Sequence, residues 1–175
     1  MKTKDLVYIA FFAALISVCA WISIPTPVPF TLQTFAVAAA LLLLGGKKGT
    51  LAILVYLLLG AIGLPVFAGF KGGLDSLVDL TGGYKLGFLL MGLLYQLFEK
   101  RPKMTLPALF IGLITLYLFG AGWFMIAYTQ SKGAVTLQQV LSWTLLPFIL
   151  PDIVKILLAH LLSRRLSPLL QKLIA

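Results

Sequence analysis

The chain has 175 residues, of which 61% are hydrophobic and only 11% charged. A soluble domain carries roughly 45–50% apolar and about 25% charged residues, so these values exclude an ordinary soluble fold and describe an integral membrane protein, small enough for one compact bundle. The net charge is +9, but the basic residues fall in short clusters between apolar runs rather than along one soluble face, which argues against nucleic acid as a partner and reads as a topology signal.

A helix needs about 20 residues to cross the hydrocarbon core, with roughly 17–25 as the range. The first apolar run, 6–24, follows Lys2 and Lys4. Ser17-Val18-Cys19-Ala20 resembles a secretory cleavage site, but the run continues through Trp21-Ile22 and more membrane follows, so a retained span is expected. Pro25, Pro27 and Pro29 then alternate, which fixes an extended turn. The second run, 30–44, is short for a straight span. Gly45-Gly46-Lys47-Lys48-Gly49 reads as a tight basic turn, and the third run is 50–64. Residues Pro65 to Gly83 form the longest connection and hold five glycines; such a loop suggests close backbone packing or a lid. The fourth run, 84–98, is closed by Glu99-Lys100-Arg101-Pro102-Lys103. The fifth is 106–128, and the sixth, 143–162, precedes Ser163-Arg164-Arg165. The expected fold is therefore an all-α membrane protein. Residues 1–175 form a single domain, a bundle of six transmembrane helices with a long Gly-rich loop between helices 3 and 4.

Lysine and arginine divide unevenly between the two sides. One side takes Lys2, Lys4, Lys47, Lys48, Lys100, Arg101, Lys103, Arg164, Arg165 and Lys172; the other takes Lys71, Lys85 and Lys132. Excess basic charge marks the cytoplasmic side, so both termini are expected in the cytoplasm and the Gly-rich loop outside, in a cell-membrane protein.

One feature inside the apolar runs stands out chemically. Asp152 and Lys155 lie within the run from Trp143 to Leu162, three positions apart. A helix presents them on one face, one turn apart. An ionised side chain in a bilayer costs about 2.5–3.5 kcal/mol on insertion scales, so such residues tend to mark functional sites. Pro151, just before Asp152, suits the first turn of a helix. Two readings are open: a self-neutralising ion pair that only lets the helix insert, or a binding spot with one acceptor and one donor for a small solute. Features expected on the outer side converge near the pair: the proline turn, Gln33, the Pro65–Gly83 loop, Tyr84 and Lys85. Phe30, Phe67, Phe70 and Tyr84 could supply apolar walls. Catalysis has no support. The chain shows no paired carboxylates, no His/Cys cluster for a metal, no nucleophile motif and no phosphate loop. His160 is alone, and Cys19 is the single cysteine, so no internal disulfide is possible. On the first helix, Ala10 and Ala14 form a small-xxx-small pair with Ala13 beside them, a pattern that lets another helix approach closely.

Four blocks carry a resemblance. They are IPTPVPFTLQTF (24–35), GAIGLPVFAGFKGG (60–73), TGGYKLGF (81–88) and PFILPDIVK (147–155). In this order and spacing, over nearly the whole chain, they resemble the BioY family, the biotin-specific substrate-binding components of energy-coupling factor (ECF) vitamin transporters. The resemblance implies six helices with cytoplasmic termini, one biotin held near the outer surface, and no enzymatic activity or cofactor of the chain's own. It implies partnership with a membrane-embedded coupling subunit, met through the Ala10, Ala13 and Ala14 region, and with two ATPase subunits attached to that partner. Transport in such systems is thought to proceed by toppling of the whole binding component in the bilayer. Carried onto this chain, Asp152 would accept from the ureido N–H groups and Lys155 would meet the valerate carboxylate or the ureido oxygen. Tyr84, Lys85 and the adjoining Gly83 match the third block, with Lys85 as a second carboxylate donor; Gln33 and Phe67 complete the expected substrate site. Asp75 and Asp79 depart from the family's usual apolar or glycine-rich stretch. Acids near an anionic ligand are useful only if paired with Lys71 or Lys85. Within the same architecture the cargo could be another vitamin or a small anionic metabolite. A non-transporting structural subunit is the reading from a different class.

Overall fold

A computed structural model describes residues 2–26 and 28–174, with side chains throughout except at 102 and 169–174. Pro27 of the proline turn lies outside the described residues, as does the side chain of Lys172. The chain is built from helices, with one two-stranded hairpin.

The first helix, α1 (Thr3–Trp21), starts where the Lys2 amide donates to the Asp5 carboxylate at 3.1 Å. An acid in the first turn also complements the helix dipole. The same carboxylate pairs with Lys48 at 2.6 Å, tying the start of α1 to the start of α3. After Trp21 the chain extends: β1 (Ser23–Ile24) pairs antiparallel with β2 (Phe30–Thr31), Ser23 opposite Thr31. The expected second helix therefore begins later than residue 30, because Phe30 and Thr31 are taken into the hairpin. Helix α2 (Gln33–Leu44) has only 12 residues. It is nonetheless the centre of the molecule: Ala36, Val37, Ala38, Ala40 and Leu41 are all fully buried, and α1, α3 and α8 pack around it.

The glycines expected to make a turn between the second and third helices do so only at Gly45, with φ +80°. Helix α3 (Gly46–Ala61) already includes Gly46 and Gly49. A Cβ at Gly49 would sit 2.8 Å from the Leu41 backbone, so this glycine serves close helix packing. The connection that follows is structured. It carries a 3-10 turn at Ala68–Phe70 and a short helix, α4 (Leu74–Val78). Phe67 is fully buried, edge-on to Tyr56 with centroids 5.4 Å apart. Trp21 donates to the Pro65 carbonyl at 2.8 Å and stacks on Phe70. Trp123 donates to the Asp79 carbonyl at 2.9 Å, which fastens the far end of the connection to α6.

Helices α5 (Gly82–Phe98) and α6 (Thr105–Lys132) pack along their length. Then comes α7 (Leu137–Thr144), opened by a capping box in which Thr136 accepts from the Gln139 amide. The last helix is α8 (Leu146–Ile174). The single expected run from Trp143 is thus broken at Leu145, and Pro151 stands inside α8 instead of in its first turn. Proline there removes a helix hydrogen bond to the carbonyl of residue 147. Among the described residues, three segments are long and apolar enough to cross a membrane: Thr3–Trp21, Thr105–Lys132 and Leu137–Pro168. The chain is a membrane protein whose exposed surface is correspondingly rich in leucine, isoleucine and valine.

The close approach at Gly60 gives a direct test of this packing. A Cβ there would fall 1.9 Å from the Phe67 ring. Gly60→Val should destabilise the detergent-solubilised protein by about 1–3 kcal/mol, the usual cost of overpacking, seen as a lower melting temperature. Combined with Phe67→Ala, the total loss should be smaller than the sum of the two single losses, because the two positions touch. An unchanged melting temperature in the single variant would contradict the packing.

Candidate functional site

Asp152 and Lys155 lie on the inward face of α8 and are 4% and 6% exposed. Their side chains meet at 2.8 Å. Neither relies on the other alone. The second carboxylate oxygen of Asp152 accepts from the Tyr117 hydroxyl of α6 at 2.7 Å. The Lys155 ammonium also donates to the Thr31 carbonyl at 2.7 Å and stands 4.0 Å from the centroid of the Phe30 ring. Phe30 in turn stacks on Phe148, with centroids 5.7 Å apart. The hairpin is what brings Thr31 and Phe30 there, so a strand carbonyl points at an ammonium more than a hundred residues away. A buried ion pair is tolerated only when further hydrogen bonds satisfy its remaining atoms, and this one is nearly satisfied. Each Asp152 oxygen keeps an unused lone pair, and Lys155 has one N–H without a hydrogen-bond acceptor.

These groups form part of the wall of a pocket with about 600 Å³ of empty space, counting the solvent at its mouth. Asp152, Lys155, Gln33, Tyr84 and Lys85 all line it, so five of the substrate-site residues expected from sequence are brought together. Val28, Phe88, Leu116 and Phe148 supply apolar wall, and Thr31, Thr34, Thr81, Tyr117 and Thr144 add hydroxyls. Gln33 donates to the Tyr56 hydroxyl at 2.7 Å and accepts from the Thr31 hydroxyl at 3.2 Å. The Tyr84 hydroxyl is buried beside the Thr144 hydroxyl, which itself donates to the Val140 carbonyl at 2.8 Å.

Lys85 reaches the wall, but its ammonium is already engaged. It donates to the Ser76 carbonyl, to the Thr81 hydroxyl at 2.9 Å and to Asp79 at 3.0 Å. Those three acceptors match its three N–H groups. Asp79 therefore does pair with Lys85, the condition under which an acid is acceptable near an anionic ligand, while Asp75 makes no ion pair among the described residues.

Several expectations need correction. Gly83 does not line the pocket; a Cβ there would meet Trp123 at 2.3 Å, so it lets α5 and α6 approach. Phe67 is a core anchor, fully buried, and touches the site only through its ring, 5.3 Å from the Lys85 ammonium. Phe70 is largely exposed and stacks on Trp21 instead of forming a wall. On α1, Ala10 and Ala14 are exposed, but Ala13 is 1% exposed and packed inside the chain. Tyr117 went unnoticed in the sequence. Its one signal is a phenol amid apolar residues, whose hydroxyl needs a partner when buried. Among the described residues, no group of three or more His, Cys, Asp or Glu side chains could hold a metal.

Comparison with known proteins agrees over nearly the whole chain. The BioY family model matches residues 1–172. The biotin transporter BioY of Thermotoga maritima is 40% identical over 168 residues, covering 95% of this chain and 97% of that one. The biotin transporter BioY2 of Lactococcus lactis subsp. cremoris is 38% identical, covering 90% and 86%. Among solved structures, the S-component for biotin from an ECF-type ABC transporter superposes with a TM-score of 0.83 at 32% identity, covering 96% of this chain and 95% of that one. The S component of another bacterial ECF transporter shares the fold at a TM-score of 0.57 and 20% identity, covering 97% and 99%.

The pair itself can be tested by stability. Asp152→Asn removes the charge partner of a buried ammonium, and breaking such a pair costs about 3–5 kcal/mol. The double variant Asp152→Leu/Lys155→Met removes both charges and should recover most of that loss in thermal unfolding. Equal melting of the single and double variants would contradict the assigned pairing.

Proposed function

This chain belongs to the BioY family, and from that premise we propose that it takes up biotin across the cell membrane as the substrate-specific component of an ECF-type transporter. The observation that carries the reading is the pocket floor: an acid and a base 2.8 Å apart, both buried, each with hydrogen-bonding capacity left over. Biotin offers two ureido N–H donors beside one ureido oxygen, an apolar thioether ring and a carboxylate. Adjacent acceptor and donor on the protein suit adjacent donors and acceptor on the ureido ring. Asp152 accepts from the N–H groups, and Lys155 donates its free N–H to the ureido oxygen. Tyr117 and the Thr31 carbonyl hold the two in place. Phe88, Leu116 and Phe148 face the thioether ring. The valerate chain then runs toward the end of the pocket marked by Thr81 and Lys85.

Six crossings serve this arrangement, by α1, α2, α3, α5, α6 and α8, with both termini cytoplasmic. Helix α2 is shorter than a bilayer, but buried backbone at membrane depth is tolerated where protein surrounds it. The basic clusters at Lys47–Lys48 and Lys100–Lys103 fall on the cytoplasmic side under the positive-inside rule. The chain performs no chemistry; ATP is hydrolysed by two separate ATPase subunits acting through a membrane-embedded coupling subunit. Ala10 and Ala14, small and exposed on α1, give that subunit a close approach.

Calorimetric titration tests the reading. Biotin should bind tightly and saturably, and thiamine and riboflavin should not. Asp152→Asn and Lys155→Ala should each weaken biotin by more than tenfold, the loss of a charge-assisted hydrogen bond or two. Wild-type affinity in both variants would show that the pair is not the binding site, and saturable binding of a different vitamin would change the cargo.

A further inference from the structure

Outside the pocket lies a second cavity, with about 560 Å³ of empty space counting the open solvent, and Pro29, Ala68, Thr81 and Lys85 line both. The two spaces therefore share a wall of side chains that includes neither Asp152 nor Lys155. Lys71 and Asp79 line the outer cavity only. The charges at the junction are arranged in a way that matters. Lys85 is neutralised by Asp79 at 3.0 Å, and its remaining N–H groups are held by Ser76 and Thr81. The shared wall thus presents no free cation. Lys71 is exposed and makes no ion pair among the described residues.

We infer that the outer cavity is a tail subsite: it receives whatever follows the carboxyl carbon of the ligand, and it accepts ligands extended there through an amide. This rests on the biotin reading, with the ureido ring at Asp152 and Lys155. A carboxylate at the junction meets no unpaired ammonium, so converting it to a neutral amide forfeits little. An extension that ends in its own carboxylate reaches Lys71. That contact is solvent-exposed, and exposed ion pairs are weak, so Lys71 tunes preference among tails without determining binding.

Three ligands test this on the detergent-solubilised full chain: biotin, biotin N-methylamide, and biotin joined through its carboxyl to the amine of glycine. The two amides should bind within about tenfold of biotin, because no charge-assisted bond is lost at the junction. Lys71→Ala should weaken the glycine conjugate about threefold, in line with an exposed pair, and leave the methylamide unchanged. Loss of about a hundredfold or more for both amides, with biotin still tight, would overturn the tail subsite and leave the biotin reading standing. Equal effects of Lys71→Ala on both amides would overturn the role of Lys71. Failure of biotin itself to bind would overturn the reading on which the inference rests.

Discussion

The structure depends on keeping an aspartate and a lysine ionised away from water. The effective penalty is several kcal/mol for each ion, and mutual attraction offsets it only when geometry and additional hydrogen bonds are good. Asp152 and Lys155 meet at 2.8 Å, and three further groups close around them: the Tyr117 hydroxyl, the Thr31 carbonyl and the Phe30 ring. They come from two elements, Tyr117 from α6 and both Thr31 and Phe30 from β2, so the pair is also a point at which the bundle is fastened. What distinguishes it from a structural ion pair is incompleteness. Among the described residues, lone pairs on both carboxylate oxygens and one ammonium N–H stay unused, and they face the same pocket.

The rest of the fold can be read as the means of presenting those unused atoms. A hairpin carries Thr31 and Phe30 to the pair. Glycines remove side chains where helices must touch, so that α5 reaches α6 at Gly83 and Gly120. The long connection after α3 is pinned through Trp21, Phe67 and Trp123, which makes it a fixed rim and not a loose loop. The Lys85–Asp79 pair belongs to that rim. It stands at the junction of two cavities, lining both through Lys85.

Much of this was legible in the sequence, and for physical reasons. Two charges three positions apart in an apolar run are costly enough to need an explanation, and the i, i+3 spacing already placed them on one face. The condition that an acid near an anionic ligand must find a lysine was met by Asp79 and Lys85. Other features left little or no local mark. Tyr117 looks like any aromatic in an apolar helix until its hydroxyl is seen against Asp152. Gly46 and Gly49 resemble turn residues, yet they sit in α3 because a neighbouring helix needs the space. Pro147, in the first turn of α8, does mark the break between α7 and α8, but only inside an otherwise continuous apolar run. Gly83 and Phe67 stand beside pocket residues in the chain, but helix phase and burial turn them into packing elements.

The central claim is that a guest molecule, and not merely the protein, completes the bonding of the Asp152 carboxylate. Infrared difference spectroscopy of the purified protein on adding biotin measures this directly. The account predicts a shift of a carboxylate stretching band on saturation, with that band absent from the difference spectrum of Asp152→Asn. Saturable biotin binding with no change in any carboxylate band, or the same change in both proteins, would contradict it.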